Sequence, residues 1–176
     1  MGVLLLGSLS AGTLLGQSDT TVIPQTFHVA NAMRVDHAPK IDGRVDDPQW
    51  KLAEPITNFA QREPYEGQPP TERTEVRIVY TRDAVFFGIV CYDSEPGKIV
   101  ATQLRRDVSQ ELDDYFEIVI DSSHNRRNAY VFQINPLGTQ RDALITEEQR
   151  TDTSTGDGDP GWDGVWSSEA RITKEG

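Results

Sequence analysis

The chain has 176 residues, with 28 acidic and 17 basic side chains and a formal net charge of −11. That length fits one domain, large enough to bury roughly two-thirds of its unfolded surface without a metal or disulfide staple. An isoelectric point near 4.6 excludes nucleic-acid binding and disfavours anionic membrane surfaces, both of which need clustered Lys and Arg.

Residues 1–17 open with Leu4-Leu5-Leu6 and Leu14-Leu15 and carry no charge, which fits the apolar part of a secretory signal. The stretch is too short to span a bilayer as a helix, which takes about 20 apolar residues. The expected localisation is therefore exported: periplasmic, outer-membrane-associated or secreted. Residues 18–34 read as a leader and edge segment, and from Thr26 to Asp36 the residues Phe27, Val29, Met33 and Val35 alternate loosely toward a short edge strand. The folded domain is expected over residues 35–176.

Asp42-Gly43 marks a turn, and Asp46 or Asp47 is placed to cap a single helical turn with Pro48 at its start. That turn would carry Trp50 and Ala53 inward. Glu63–Thr71, with Pro64, Gly67, Pro69 and Pro70, reads as loop. Over Thr74–Tyr80, Val76, Ile78 and Tyr80 alternate with Glu75 and Arg77, predicting a strand with one buried and one wet face. Ala84–Tyr92 is apolar on both faces, the composition of a central strand, and Arg82-Asp83 joins the two as a tight hairpin. Cys91, the single cysteine, excludes a disulfide framework and a Cys-rich zinc site, and its apolar surroundings read as those of a buried small side chain.

Tyr115–Asp121 and Ala129–Asn135 form a second hairpin around Ser122–Asn128, and Arg141–Thr146 and Val165–Thr173 supply two weaker strands. The last of these reads as the first half of a hairpin whose partner lies outside the chain. Short strands joined by Gly, Pro and Asp turns predict an all-β fold, an antiparallel β-sandwich.

Pairing Asp121 with Ala129 sets Glu117 opposite Gln133 and Tyr115 opposite Asn135. Partners in an antiparallel ladder share a face. Glu117, Gln133 and Asn135 then project together with Tyr115 beside them, while Phe116, Ile118, Ile120, Tyr130, Phe132 and Ile134 point into the core. A carboxylate, two amides and an aromatic ring suit polyhydroxylated ligands, whose hydroxyls need both donors and acceptors. The same pattern also describes an ordinary solvated sheet face. Trp162 and Trp166 can stack on a sugar ring or serve as core and loop anchors.

Asp113-Asp114, with Asp93, Asp107 and Asp121, place carboxylates at strand ends. Such groups can hold a hard cation such as calcium, form a general acid–base pair, or simply charge the turns. Asp157–Asp163 fails as an EF-hand loop, because its sixth and twelfth positions are Trp162 and Ser168. Arg105-Arg106 stands beside Asp107, which points to local charge pairing. No phosphate-binding, metalloprotease or nucleophile-elbow motif is present.

Lys40-Ile41-Asp42-Gly43-Arg44-Val45-Asp46-Asp47-Pro48-Gln49-Trp50 resembles the opening of family-nine carbohydrate-binding modules. Thr74–Tyr80, Val85–Ile89, Cys91–Asp93 and above all Asp113-Asp114-Tyr115-Phe116-Glu117-Ile118-Val119-Ile120-Asp121 continue the likeness, which covers roughly Val35–Ile172. Arg105-Arg106-Asp107 and Trp162-Asp163-Gly164-Val165-Trp166 are most similar to family-nine-like domains at the front of larger exported bacterial proteins, often followed by an outer-membrane β-barrel.

The resemblance implies a jelly-roll-like sandwich that binds a glycan or oligosaccharide and commonly carries structural calcium, as an accessory to glycoside hydrolysis in carbohydrate catabolism and not as the hydrolase. In such modules a glycan end lies between two tryptophans, with contacts from a glutamate, an arginine and an asparagine. Glu117 matches the glutamate and Asn135 the asparagine, while Gln133 stands where arginine is expected. The first tryptophan falls near Glu111, and the second lies beyond Gly176. The expected ligand contacts are thus Glu117, Gln133, Asn135, Tyr115 and Trp162, and the expected cation ligands Asp93, Asp113, Asp114 and Asp121. The competing expectation is a non-catalytic interaction domain of a barrel protein that has lost sugar binding.

Overall fold

The computed structural model describes residues 29–146, 158–159 and 161–176. Residues 1–17, most of 18–34 and Asp157 lie outside the described residues. The fold is mostly β, without α-helix among the described residues. Its strands are β1 (Met33–Arg34), β2 (Thr74–Tyr80), β3 (Val85–Cys91), β4 (Phe116–Ile120), β5 (Ala129–Ile134) and β6 (Gln140–Ile145), with 3₁₀ turns at Pro48–Leu52 and Pro96–Lys98. They form two three-stranded sheets, ordered β1-β2-β3 and β4-β5-β6.

In the first sheet β2 and β3 pair antiparallel from Thr74↔Cys91 to Tyr80↔Val85, and the Thr81 amide donates to the Ala84 carbonyl around Arg82-Asp83. β1 pairs with β2 in parallel, so the expectation of a wholly antiparallel fold is corrected. The long crossover from Arg34 to Thr74 makes the parallel pairing possible, whereas a tight turn would not.

The expected wet face of β2 is covered as well. Glu75 is 6% exposed and Val79 fully buried, while Tyr80, expected inside, is 37% exposed. The cause is Trp50. The 3₁₀ turn lays its ring flat on Gly88, where a Cβ would fall 2.8 Å from Trp50 Cε3. Gly88 is paired with Arg77, and Phe86 with Val79, so all four share the face that Trp50 closes. Val35, Trp50, Ala53 and Val79 form the buried cluster, with Val45 and Phe86 against it. Pro48 starts the turn as expected, but neither aspartate caps it through its side chain. Asp47 Oδ2 accepts from the Lys40 amide at 2.8 Å, and Asp46 pairs with Arg44.

β3 has a partner only on its β2 side among the described residues, so the strand read as central stands at an edge. Cys91, at its end, is exposed and not buried.

The second sheet has the expected register, with Phe116↔Ile134, Glu117↔Gln133 and Ile120↔Tyr130. β6 extends it through Gln133↔Arg141 and Val131↔Ala143. Val165–Thr173, expected as a strand, forms no ladder among the described residues, although residues 162–170 alternate between half-buried and exposed. Their inward side chains find partners on the face of the second sheet instead of along an edge. Trp162 packs on Tyr130 at 4.9 Å, Trp166 meets Phe132 edge-on at 5.3 Å, and Ser168 Oγ accepts from Gln140 Nε2. The segment then reaches the first sheet, where the Asp93 amide donates to the Glu175 carbonyl at 2.8 Å.

Candidate functional site

One line of register across β4, β5 and β6 sets Glu117, Gln133 and Arg141 side by side. Gln133 Nε2 donates to Glu117 Oε2 at 2.5 Å, and Arg141 Nη1 donates to Gln133 Oε1 at 3.1 Å. A carboxylate, an amide and a guanidinium therefore stand in a hydrogen-bonded row on a rigid sheet. Burial grades along it: Glu117 is exposed, Gln133 is 7% and Arg141 8% exposed. The accessible end is the acceptor, flanked by Tyr115, 45% exposed, and Val119, 51% exposed. Because its neighbours already fix Gln133, the Glu117 carboxylate is held in place while keeping lone pairs for a ligand hydroxyl. Arg141 was not among the expected contacts. Carrying the β4–β5 register onto the third strand would have found it.

Asn135 belongs elsewhere. It is 1% exposed, and its carboxamide is saturated. Nδ2 donates to the Gln103 carbonyl at 2.8 Å and to Asp113 Oδ2 at 2.9 Å. Oδ1 accepts from the amides of Leu137 at 3.0 Å and Thr139 at 2.9 Å. Two donors and two acceptor sites are the full capacity of an amide. Asn135 thus ties the end of β5 to the 102–103 loop and to the turn before β6. Trp162 lies on the other face of the sheet with Tyr130 and Phe132, as an anchor of the C-terminal segment.

The four aspartates expected as cation ligands accept from nearby backbone amides, Asp113 and Asp114 both from the 100–103 loop. Asp113 accepts from the Thr102 and Gln103 amides at 2.9 Å and from Thr102 Oγ1 at 2.7 Å. Burial works against its charge, but the Gln103 amide, the Thr102 hydroxyl and Asn135 outweigh it and lower its pKa to about 2. Asp114 Oδ2 accepts from the Val100 amide at 2.7 Å, and Asp93 Oδ1 from the Glu95 amide at 2.6 Å. Asp121 gathers the amides of Ser123, Asn125 and Arg126, the last at 2.6 Å, and the Arg126 amide is the main reason its carboxyl sits below its ordinary range. Among the described residues no three His, Cys, Asp or Glu side chains gather as a metal site.

Two further polar clusters stand apart from the row. Asp142, fully buried, accepts at Oδ2 from Arg106 Nη2 at 2.7 Å and Trp166 Nε1 at 2.6 Å, and its Oδ1 has no hydrogen-bond partner among the described residues. Arg106 also reaches Asp163 and Gln140 at 2.7 Å and Asp107 at 3.3 Å, so it joins a loop, β6 and the C-terminal segment. On the first sheet a groove of about 500 Å³ runs beside Trp50, lined by Glu75, Arg77 and Tyr92. Glu75 is clasped there by Arg73 and Arg77, and its Arg77 hydrogen bond holds its carboxyl below the usual range against the effect of burial.

Comparison of the chain with protein-family models, with curated proteins and with solved structures found no match.

Proposed function

We propose that the chain is a non-catalytic carbohydrate-binding module whose ligand hydroxyls engage Glu117 at the open end of the Glu117–Gln133–Arg141 row, with the Tyr115 ring at its rim. The observation that supports this reading is the row itself, a preorganised acceptor backed by an amide and a guanidinium. The row offers one carboxylate, and glycoside hydrolysis ordinarily takes two across the scissile bond, so the chemistry it fits is binding. We place Glu117 at the open rim of a jelly-roll-like sandwich, with Gln133 and Arg141 on the buried part of the same sheet face, in a larger exported protein that degrades carbohydrate, as the family-nine resemblance implies.

Calorimetric titration against an oligosaccharide panel, with calcium and with chelator, tests the reading. Saturable binding weakened about tenfold or more in Glu117→Ala, as loss of a charged hydrogen bond predicts, supports it provided the thermal midpoint is unchanged. Absence of binding by a folded protein leaves the second reading, an interaction domain that kept the scaffold. That reading draws on Asn135 and Trp162, two of the five expected contacts, which are engaged within the fold.

A further inference from the structure

The groove beside Trp50 holds charged donors that the fold leaves unused. Glu75 is the carboxylate in its lining, and both of its oxygens are engaged, Oε1 by Arg73 and Oε2 by Arg77 Nη1 at 2.8 Å. Arg73 is itself held over the Tyr92 ring, 5.0 Å from its centroid. Arg77 gives Glu75 a single nitrogen. Its Nε and Nη2, the edge of a guanidinium that receives a carboxylate side-on, have no partner among the described residues. That side chain is 23% exposed, so the edge is within reach of a ligand. Lys51 lines the same groove, is exposed and forms no ion pair among the described residues. The Trp50 indole N–H is a further donor in the lining without an acceptor among the described residues.

Charge and shape together define what fits. Arg73 offsets Glu75, so Lys51 and Arg77 make the lining locally positive in a chain whose net charge is −11. At about 500 Å³ the groove has the size of a small-molecule site. Val45, Pro55 and Val90 give it apolar walls. A ligand rich in hydroxyls would bring donors that ammonium and guanidinium groups cannot accept, whereas a carboxylate brings acceptors only.

We propose that the Trp50 groove binds a small carboxylic acid bearing a hydrocarbon ring, its carboxylate held by Lys51 and the open edge of Arg77 and its ring against Val45, Pro55 and Val90. The site belongs to the first sheet and is independent of Glu117 and of sugar binding.

Titration with sodium benzoate, followed through the indole N–H resonance of Trp50, tests the proposal. Benzyl alcohol supplies the ring without the charge, and acetate the charge without the ring. The expected result is a saturable shift of the Trp50 resonance by benzoate, with binding about tenfold or more weaker for either comparison compound and for Lys51→Gln, and restored in Lys51→Arg. Lys51 is exposed, so the fold should survive its replacement, and unchanged Val131 and Ala143 amide resonances verify that it does. Absence of a saturable shift with benzoate up to about 20 mM would overturn the proposal. So would benzyl alcohol binding as tightly as benzoate, or benzoate binding undiminished in Lys51→Gln.

Discussion

The first sheet has an apolar cover: Val45, Trp50 and Ala53, from the chain between β1 and β2, close over Val79, Phe86 and Gly88. The second sheet's fastenings are polar. Asn135 and Asp113 lie 22 residues apart, and Arg106 reaches Asp142 and Asp163 across 36 and 57. Shape complementarity fixes one half of the molecule and hydrogen-bond geometry the other. The first should therefore respond to changes in side-chain volume, the second to loss of single polar atoms and to protons.

Trp50→Ala should give the largest effect, since truncating a buried aromatic typically costs about 3–5 kcal/mol. Urea unfolding followed by probes in each sheet would show the first sheet melting earlier. Equal loss in both sheets would mean that the two covers are not separate. Asp142→Ala should cost about 1.5–3 kcal/mol, the range for hydrogen bonds to a charged group, and should loosen residues 162–170 before it affects β2 or β3. Proteolysis or hydrogen exchange in that segment reads it directly. The smallest effect is expected of Asp113→Asn and appears in the pH profile. The folded pKa of Asp113, about 2, lies below its ordinary 3.8, so its contribution is present above pH 3.8 and is lost as pH falls toward about 2. Wild type should lose stability across that window more steeply than the variant. Parallel profiles would remove Asp113 from the account.

Hydrophobic alternation was enough to read the β4–β5 register residue by residue, because slipping it by one would turn Phe116, Ile118 and Ile120 to solvent. It was not enough for Asn135. An amide that follows an apolar strand on the polar side looks like a ligand contact until Gln103 and Asp113 are known to lie beside it. The same limit hid the burial of Glu75 and Val79, since alternation describes a strand and cannot say that Trp50 will cover its polar side. β1 is two residues long, too short for periodicity to reveal its parallel pairing. The aspartates at strand ends were legible as loop-formers or cation ligands alike. The backbone amides around them show the loop-forming role.

The flat seat of Trp50 on Gly88 has a consequence for how this sequence can change over generations. A methyl group at position 88 would lie 2.8–3.0 Å from three ring atoms, too close for the ring to stay. A smaller side chain at position 50 over glycine would leave an unfilled void. Each change is harmful by itself, and the second becomes tolerable only once the first has occurred. The two positions, 38 residues apart, are thus a single heritable unit, and an alanine at 88 paired with a smaller residue at 50 should restore much of what either change alone removes.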